Sequence, residues 1–205
     1  MPVCDERKFI FIHIPKNGGS SITRFFDFKP DAFCGSNDGL IINNIRHSPQ
    51  HQPAWFLKKH PLLRDRYDEY FKFSFVRNPY TRVVSEYFWQ KKIKRIRVDL
   101  SVEHFSSVWL TDLEKYKSRD HHMTQTYFLY ENGVPIVDFI GRLENIDADF
   151  KHVLEKINYP DVNTELKIEN KNHRPDDVEP YYTQEIKERI YNLYKEDFIN
   201  FNYTK

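Results

Sequence analysis

Two short stretches of the chain carry residues able to hold anionic groups. The first, PKNGGSS, runs from Pro15 to Ser21 behind an apolar run from Phe9 to Ile14. Lys16 brings a full positive charge, Gly18 and Gly19 let the main chain turn closely, and Ser20 and Ser21 add hydroxyl donors. Backbone N–H groups at a helix N-terminus are unpaired, and the helix dipole favours negative charge there. Lys16, Asn17, Gly18, Gly19, Ser20 and Ser21 therefore read as a cradle for a phosphate or sulfate. The nucleotide-triphosphatase loop has its lysine after the glycines. Here the lysine comes before them, and no acidic partner for magnesium is evident. Taken alone, the stretch is equally a tight strand-to-helix turn with a capping serine and a surface lysine.

The second stretch, FSFVRNPYTRVVSEY, repeats the arrangement. Phe71, Phe73 and Phe75 alternate with Lys72 and Ser74, which predicts a strand ending at Val76. Asn78-Pro79 is a helix start, with Arg77 just before it and Ser85 about two turns in. Ligands of open α/β sheets bind beyond the carboxyl ends of the strands. Alone, Arg77 and Ser85 read as a capping arginine and a helix-surface serine. With Lys16 they call for one ligand bearing two separated anionic groups.

The elements that must position these residues alternate between strand and helix. Phe9 to Ile14 reads as a buried strand, and Ser20 to Phe28 as a helix. Residues 29–39 read as a loop, and Leu40 to Ile45 as a second strand. Pro61 breaks the helical pattern of residues 54–69. Ser101 caps a helix reaching to about Lys117. Tyr127 to Tyr130 and Asn132-Gly133 lead through a turn into a strand over Ile136 to Ile140. Asp147 to Ile157 and Thr183 to Phe198 read as late helices, with a polar loop or lid over residues 163–180 between them. The class is α/β with a mostly parallel sheet, and the length of 205 residues suits one domain over 1–205.

Composition narrows the partners. The formal net charge is +1, so no global field draws the chain to nucleic acid, and any anion site is local. No run approaches the length of a membrane helix, and the N-terminus lacks a signal-peptide core. The sequence reads as a cytoplasmic chain, or as one trimmed from a secretory-pathway protein. Two cysteines, Cys4 and Cys34, make neither a disulfide framework nor a zinc cluster.

The two anion motifs together resemble those of the sulfotransferase family, in the branch related to carbohydrate O-sulfotransferases. FIHIPKNGGSS is similar to the family's 5′-phosphosulfate loop. FVRNPYTRVVSEY is similar to its 3′-phosphate motif, an arginine followed eight positions later by a serine, matched here by Arg77 and Ser85. DFIGRLENIDADF and the terminal YYTQEIKERIYNLYKEDFINFNY lend support, and the resemblance covers nearly the whole chain. It implies a P-loop-like three-layer fold with a central, mostly parallel sheet flanked by helices. It also implies 3′-phosphoadenosine-5′-phosphosulfate as donor and adenosine 3′,5′-bisphosphate as product. The acceptor is a hydroxyl, of a saccharide or a small metabolite, and no metal is needed. Lys16 would neutralise charge on the departing phosphate oxygen.

Such chemistry gains from a base that takes the acceptor proton, and histidine is the usual choice near neutral pH. Of nine histidines, His47 stands first, because the family branch often has a histidine between the two motifs; His51 is close behind. The pair in HSPQH makes a poor metal site, with Pro49 spoiling a helical face and no third ligand apparent. His13 reads as a packed strand histidine, and His121-His122 as part of a solvated loop. Arg142 and Glu144 read as a buried or capping ion pair fixing a strand end, or as a functional contact. The basic run of residues 91–97 reads as the solvated end of a helix, or as a seat for an anionic polysaccharide. Two other classes stay open: a nucleotide or small-molecule kinase with a divergent phosphate loop, and a nucleotide-binding module without turnover.

Overall fold

The computed structural model describes residues 3–28, 40–93, 101–115, 119–161, 165–167 and 178–205. The chain opens with β1 (Val3–Cys4) and β2 (Phe9–Ile12), followed by α1 (Gly19–Phe25). Next come β3 (Leu40–Ile42), β4 (Ile45–His47), α2 (Ala54–Lys59), α3 (Arg64–Glu69), β5 (Phe71–Val76) and α4 (Pro79–Lys92). A π-helical stretch over His104–Trp109 runs into α5 (Leu110–Lys115). Then come α6 (Gln125–Leu129), β6 (Tyr130–Glu131), β7 (Val134–Pro135) and β8 (Phe139–Arg142). The last helices are α7 (Ile146–Lys156), α8 (Gln184–Leu193) and α9 (Lys195–Asn200).

The central sheet has the order β1-β2-β5-β8. β2, β5 and β8 run parallel, and β1 pairs antiparallel with β2 at the edge. Alternation sends the two sets of side chains to opposite faces. Phe9, Phe11, Phe73 and Phe75 pack on Ile22 of α1 and on Ile146, Phe150 and Val153 of α7. Ile10 and Ile12 pack on Ala54, Leu57, Tyr67, Phe128 and Leu129, from α2, α3 and α6. Helices thus cover both faces, which is why β2 is apolar at every position. Ser74, buried on β5, is satisfied by donating to the Ile12 carbonyl at 2.7 Å. The expected α/β class with a mostly parallel, helix-flanked sheet is the fold observed. A third cluster joins α4, α5 and α8 around Tyr87, Trp109 and Ile190.

Several boundaries differ from the reading of the sequence. Leu40 to Ile45 is half of a hairpin, not one strand. Asn43 and Asn44 turn it with φ of 52° and 63°, the left-handed pair that a two-residue hairpin turn requires. The residues from Tyr127 onward belong to α6, whose cap is Thr124, accepting from the Tyr127 N–H. The last helix breaks at Tyr194, because this buried ring reaches back to donate to the His122 carbonyl at 3.2 Å. Arg142 and Glu144 take other partners. Arg142 donates to the Phe201 carbonyl, and Glu144 accepts from the Asn78 N–H and the Tyr203 hydroxyl. The loop 29–39 lies outside the described residues, as do most of segment 163–180, residues 94–97 of the basic run, and Cys34.

Asp197 of α9 ties the C-terminal helices to the sheet. It is fully buried and accepts from the N–H groups of Gln125 and Thr126 and from the Thr126 hydroxyl, at 2.8 to 2.9 Å. These are the open donors at the start of α6, so Asp197 caps that helix from a distant part of the chain. Burial raises its pKa, opposed by nearby Arg82 and by these donors. Asp197→Ala is expected to lose about 3 kcal/mol in chemical denaturation, the scale for stranding several buried donors. A loss below about 1 kcal/mol would show that the cap is dispensable.

Candidate functional site

The first anion motif crosses the carboxyl end of β2 in two left-handed steps. Lys16 has φ 69° and Gly18 has φ 79°. Gly18 precedes the first helical residue, Gly19, and makes no side-chain cap. A methyl group on Gly19 would lie 2.1 Å from the His13 ring, so this glycine is needed for the close approach of the loop to His13. Asn17 is buried and donates from Nδ2 to the Phe75 carbonyl at 2.8 Å and to Gln125 Oε1 at 2.7 Å. Ser20 is exposed and Ser21 buried.

The second motif meets the first directly. The Arg77 guanidinium donates to the Lys16 carbonyl at 3.2 Å and to Thr81 Oγ1 at 2.8 Å. Its backbone is clasped by one carboxamide: Gln125 Oε1 accepts from the Arg77 N–H and Gln125 Nε2 donates to the Arg77 carbonyl, both at 2.8 Å. Asn78 caps α4 by accepting from the Tyr80 N–H, and Pro79 takes the first helical position. Between Pro79 and Gln90, only Thr81, Ser85 and Trp89 are partly exposed. Their spacing of four puts them on one stripe of the helix. Thr81 holds Arg77 at one end of the stripe. At the other, the Lys16 ammonium sits 5.1 Å from the centroid of the Trp89 ring. Ser85 lies between, so the stripe joins three of the residues marked by the two motifs.

This corner is crowded with positive charge. The Lys16 pKa falls to about 8, chiefly through burial, with Arg77, Lys92 and Arg82 adding to the fall and Glu86 opposing it. Neither α1 nor α4 has an acidic residue in its first turn.

Beside Trp89 lies a cluster of histidines and carboxylates. His121 stacks on Trp89 with ring centroids 4.5 Å apart, and its Nδ1 meets Glu86 Oε2 at 2.7 Å. His51 Nδ1 meets Asp120 Oδ2 at 2.8 Å. Asp120 also accepts from the N–H groups of Ser48 and His121. Burial alone would raise the Asp120 pKa, but His51, His121 and the Ser48 N–H hold it well below the usual carboxylate range. Burial lowers His51 and, more strongly, His13. His13 packs edge-on against His51, with centroids 4.7 Å apart. His47 is placed differently. It is fully buried, its Nδ1 donates to the His51 carbonyl at 2.8 Å, and its Nε2 faces the Tyr127 hydroxyl at 3.1 Å. Both its nitrogens are engaged.

Comparison with known proteins bears on the chemistry. A family profile described as "Sulfotransferase family" matches residues 1–204. The chain belongs to the sulfotransferase family. It is 27% identical over 184 residues to carbohydrate sulfotransferase 14 of Danio rerio, covering 77% of this chain and 48% of that protein. The chain therefore spans about half the length of that relative. It is also 32% identical over 110 residues to an uncharacterized protein of Archaeoglobus fulgidus, covering 53% of this chain and 84% of that one. No solved structure matches.

For this sulfotransferase, sequence reasoning pointed to the loop, Arg77 and Ser85, and the structure brings them to one corner. It missed Gln125 as the link, Trp89 as the seat of Lys16, and the carboxylates Glu86 and Asp120. His121, read as part of a solvated loop, is instead largely buried by its bond to Glu86 and its stacking on Trp89. The i, i+4, i+8 spacing of Thr81, Ser85 and Trp89 was available as a signal. A carbon-NMR titration of the Lys16 side chain should give a midpoint of about 8. In Glu86→Gln the midpoint should fall further, because the carboxylate that favours the ammonium is gone. A wild-type midpoint above about 10, the ordinary lysine value, would remove the crowding.

Proposed function

We propose that this sulfotransferase transfers a sulfuryl group from 3′-phosphoadenosine-5′-phosphosulfate to an acceptor hydroxyl, on a P-loop-like fold. The observation that carries the reading is the contact between the two motifs. Arg77 donates to the Lys16 carbonyl, which brings both cation-bearing residues to one corner, and neither helix has an acidic residue of its own in the first turn, the α4 cap instead receiving Glu144 on the Asn78 N–H. An anion bound there would offset the burial and the neighbouring cations that depress Lys16. The loop Lys16 to Ser21 holds the 5′ side in this reading, and Arg77 with Ser85 the 3′-phosphate. The donor supplies the activated sulfuryl group. Lys16 stabilises charge on the leaving phosphate oxygen, and the protein works mainly by positioning and charge stabilisation. The residues fit the donor and call for no metal in the transfer itself. The name of the Danio rerio relative favours a saccharide as acceptor.

A histidine whose lone pair is not held by a neighbouring hydroxyl suits the base best. His47 was the first expectation, but its nitrogens are taken by the His51 carbonyl and Tyr127. His51 donates Nδ1–H to Asp120, which leaves Nε2 as the basic nitrogen, and burial keeps the ring neutral near pH 7. We therefore assign proton removal to His51 and a positioning role to His47, which grips the His51 carbonyl.

Calorimetric titration with adenosine 3′,5′-bisphosphate, without magnesium and with ADP as control, tests the donor site. Wild type should prefer the bisphosphate, and Arg77→Ala should weaken it about 30-fold or more. Equal affinity for ADP would sink the 3′-phosphate assignment. The base is tested by turnover in a transfer assay. His51→Ala should lose about 100-fold or more in kcat with bisphosphate binding kept. His47→Ala should lose less, and His47→Gln should recover part of that loss. A greater loss in His47→Ala than in His51→Ala would return the base to His47.

A further inference from the structure

The cluster beside Trp89 has a second capacity. His51, Asp120 and His121 each offer one ligand atom, and the three atoms lie within 4.8 Å of one another. His121 is oriented as metal-bound imidazoles are, with Nδ1 on the Glu86 carboxylate at 2.7 Å, while His51 Nδ1 and Asp120 Oδ2 face each other at 2.8 Å as a ligand pair. A carboxylate on one ring nitrogen fixes the tautomer and turns the other nitrogen into a stronger donor. Asp120 Oδ1 accepts from the His121 N–H, and a carboxylate oxygen has room for more.

His13 is not one of the three ligands but walls the cluster. It is buried and packs edge-on to His51. Its Nε2–Cδ2 edge is pressed against Gly19, so the ring cannot retreat toward the loop.

Charge and donor type select the cation. Two carboxylates, Asp120 and Glu86, bond the two imidazoles, a donor set suited to a dication. Arg82 spends its guanidinium on the carbonyls of Pro15, Met123 and His121. Imidazole with carboxylate suits zinc-like transition ions, whereas magnesium and calcium prefer oxygen ligands throughout. Zinc bonds of about 2.0–2.2 Å in a tetrahedron put ligand atoms about 3.3 Å apart. The widest pair must therefore close by roughly 1.5 Å, within the range of a side-chain rotation.

We propose that His51, His121 and Asp120 form a site for one zinc-class dication, and that filling it silences transfer: the ion takes His51 Nδ1, the ring proton moves from Nδ1 to Nε2, and the lone pair that would accept the acceptor proton is gone. The binding half stands by itself; the silencing half rests on the reading of His51 as base.

The test uses the metal-free full chain near neutral pH. Zinc affinity is measured by competition with a chromophoric chelator, and cobalt(II) reports geometry through its visible absorption. Wild type should bind one zinc at micromolar affinity or tighter, with a tetrahedral cobalt band and no comparable magnesium binding. His121→Ala and Asp120→Asn should each weaken zinc by about 100-fold, with unchanged circular dichroism. Asp120→Asn guards against a fold defect, since it keeps the side chain's shape. His152→Ala, on α7, should bind as wild type does. Zinc binding equal in wild type and His121→Ala would overturn the site. In the transfer assay, one equivalent of zinc should stop wild type, and a chelator should restore it. Zinc bound at full stoichiometry without inhibition would overturn the silencing half. Bisphosphate calorimetry on the metal-free protein tests the donor reading separately, so failure of the metal site and failure of the donor site give different results.

Discussion

One buried carboxamide holds the two halves of the proposed donor site together. Gln125 is fully buried, and its four polar side-chain contacts all go to site or scaffold groups. Oε1 accepts from Asn17 and from the Arg77 N–H, while Nε2 donates to the Arg77 carbonyl and, at 3.3 Å, to Asp197. Beyond the direct pairing of β2 with β5, this group ties the loop after β2 to the residue after β5. A charged side chain could not replace it, because the position needs two donors and two acceptors on one planar unit. Spacing between Lys16 and Arg77, and hence the separation of the two anionic groups, depends on it.

Two groups of charge meet at Trp89. One holds the cations Lys16 and Arg77; the other holds Glu86, Asp120 and the histidines. Glu86 serves both, since it bonds His121 and attracts Lys16. Burial pushes its pKa up, but His121, Gln90 and Lys16 outweigh that and hold it below the usual value. An ionised carboxylate this deep is tolerable only with such partners. Trp89 joins the two groups without neutralising either, because its ring takes both the ammonium and an imidazole.

Legibility in the sequence followed distance along the chain. The start of α4 was readable because Asn78 and Pro79 act on their own neighbours. The strand β5 was readable because its alternation is local. The break at Tyr194 was not, since it depends on a hydroxyl reaching a carbonyl 72 positions away. The pairing of His51 with Asp120 spans 69 positions, and that of Glu86 with His121 spans 35. No spacing rule covers such pairs. His47 illustrates the converse. Its residue type and its place between the motifs drew attention, yet only packing revealed that both nitrogens are spoken for. Asn43-Asn44 carried a usable hairpin signal that the apolar run around it obscured.

The cap supplied by Asp197 has a consequence for the order of events during synthesis. Both strand ends and the loop are made early, and α6 somewhat later. The donors at the start of α6 have no carboxylate to meet until residue 197 has been translated. Domains begin to fold from their N-terminal part as the chain emerges. A nascent chain can therefore assemble its sheet while the Gln125 clasp still lacks its anchor. The corner where Lys16 meets Arg77 becomes rigid last, so an incomplete chain would hold the right residues without holding them still.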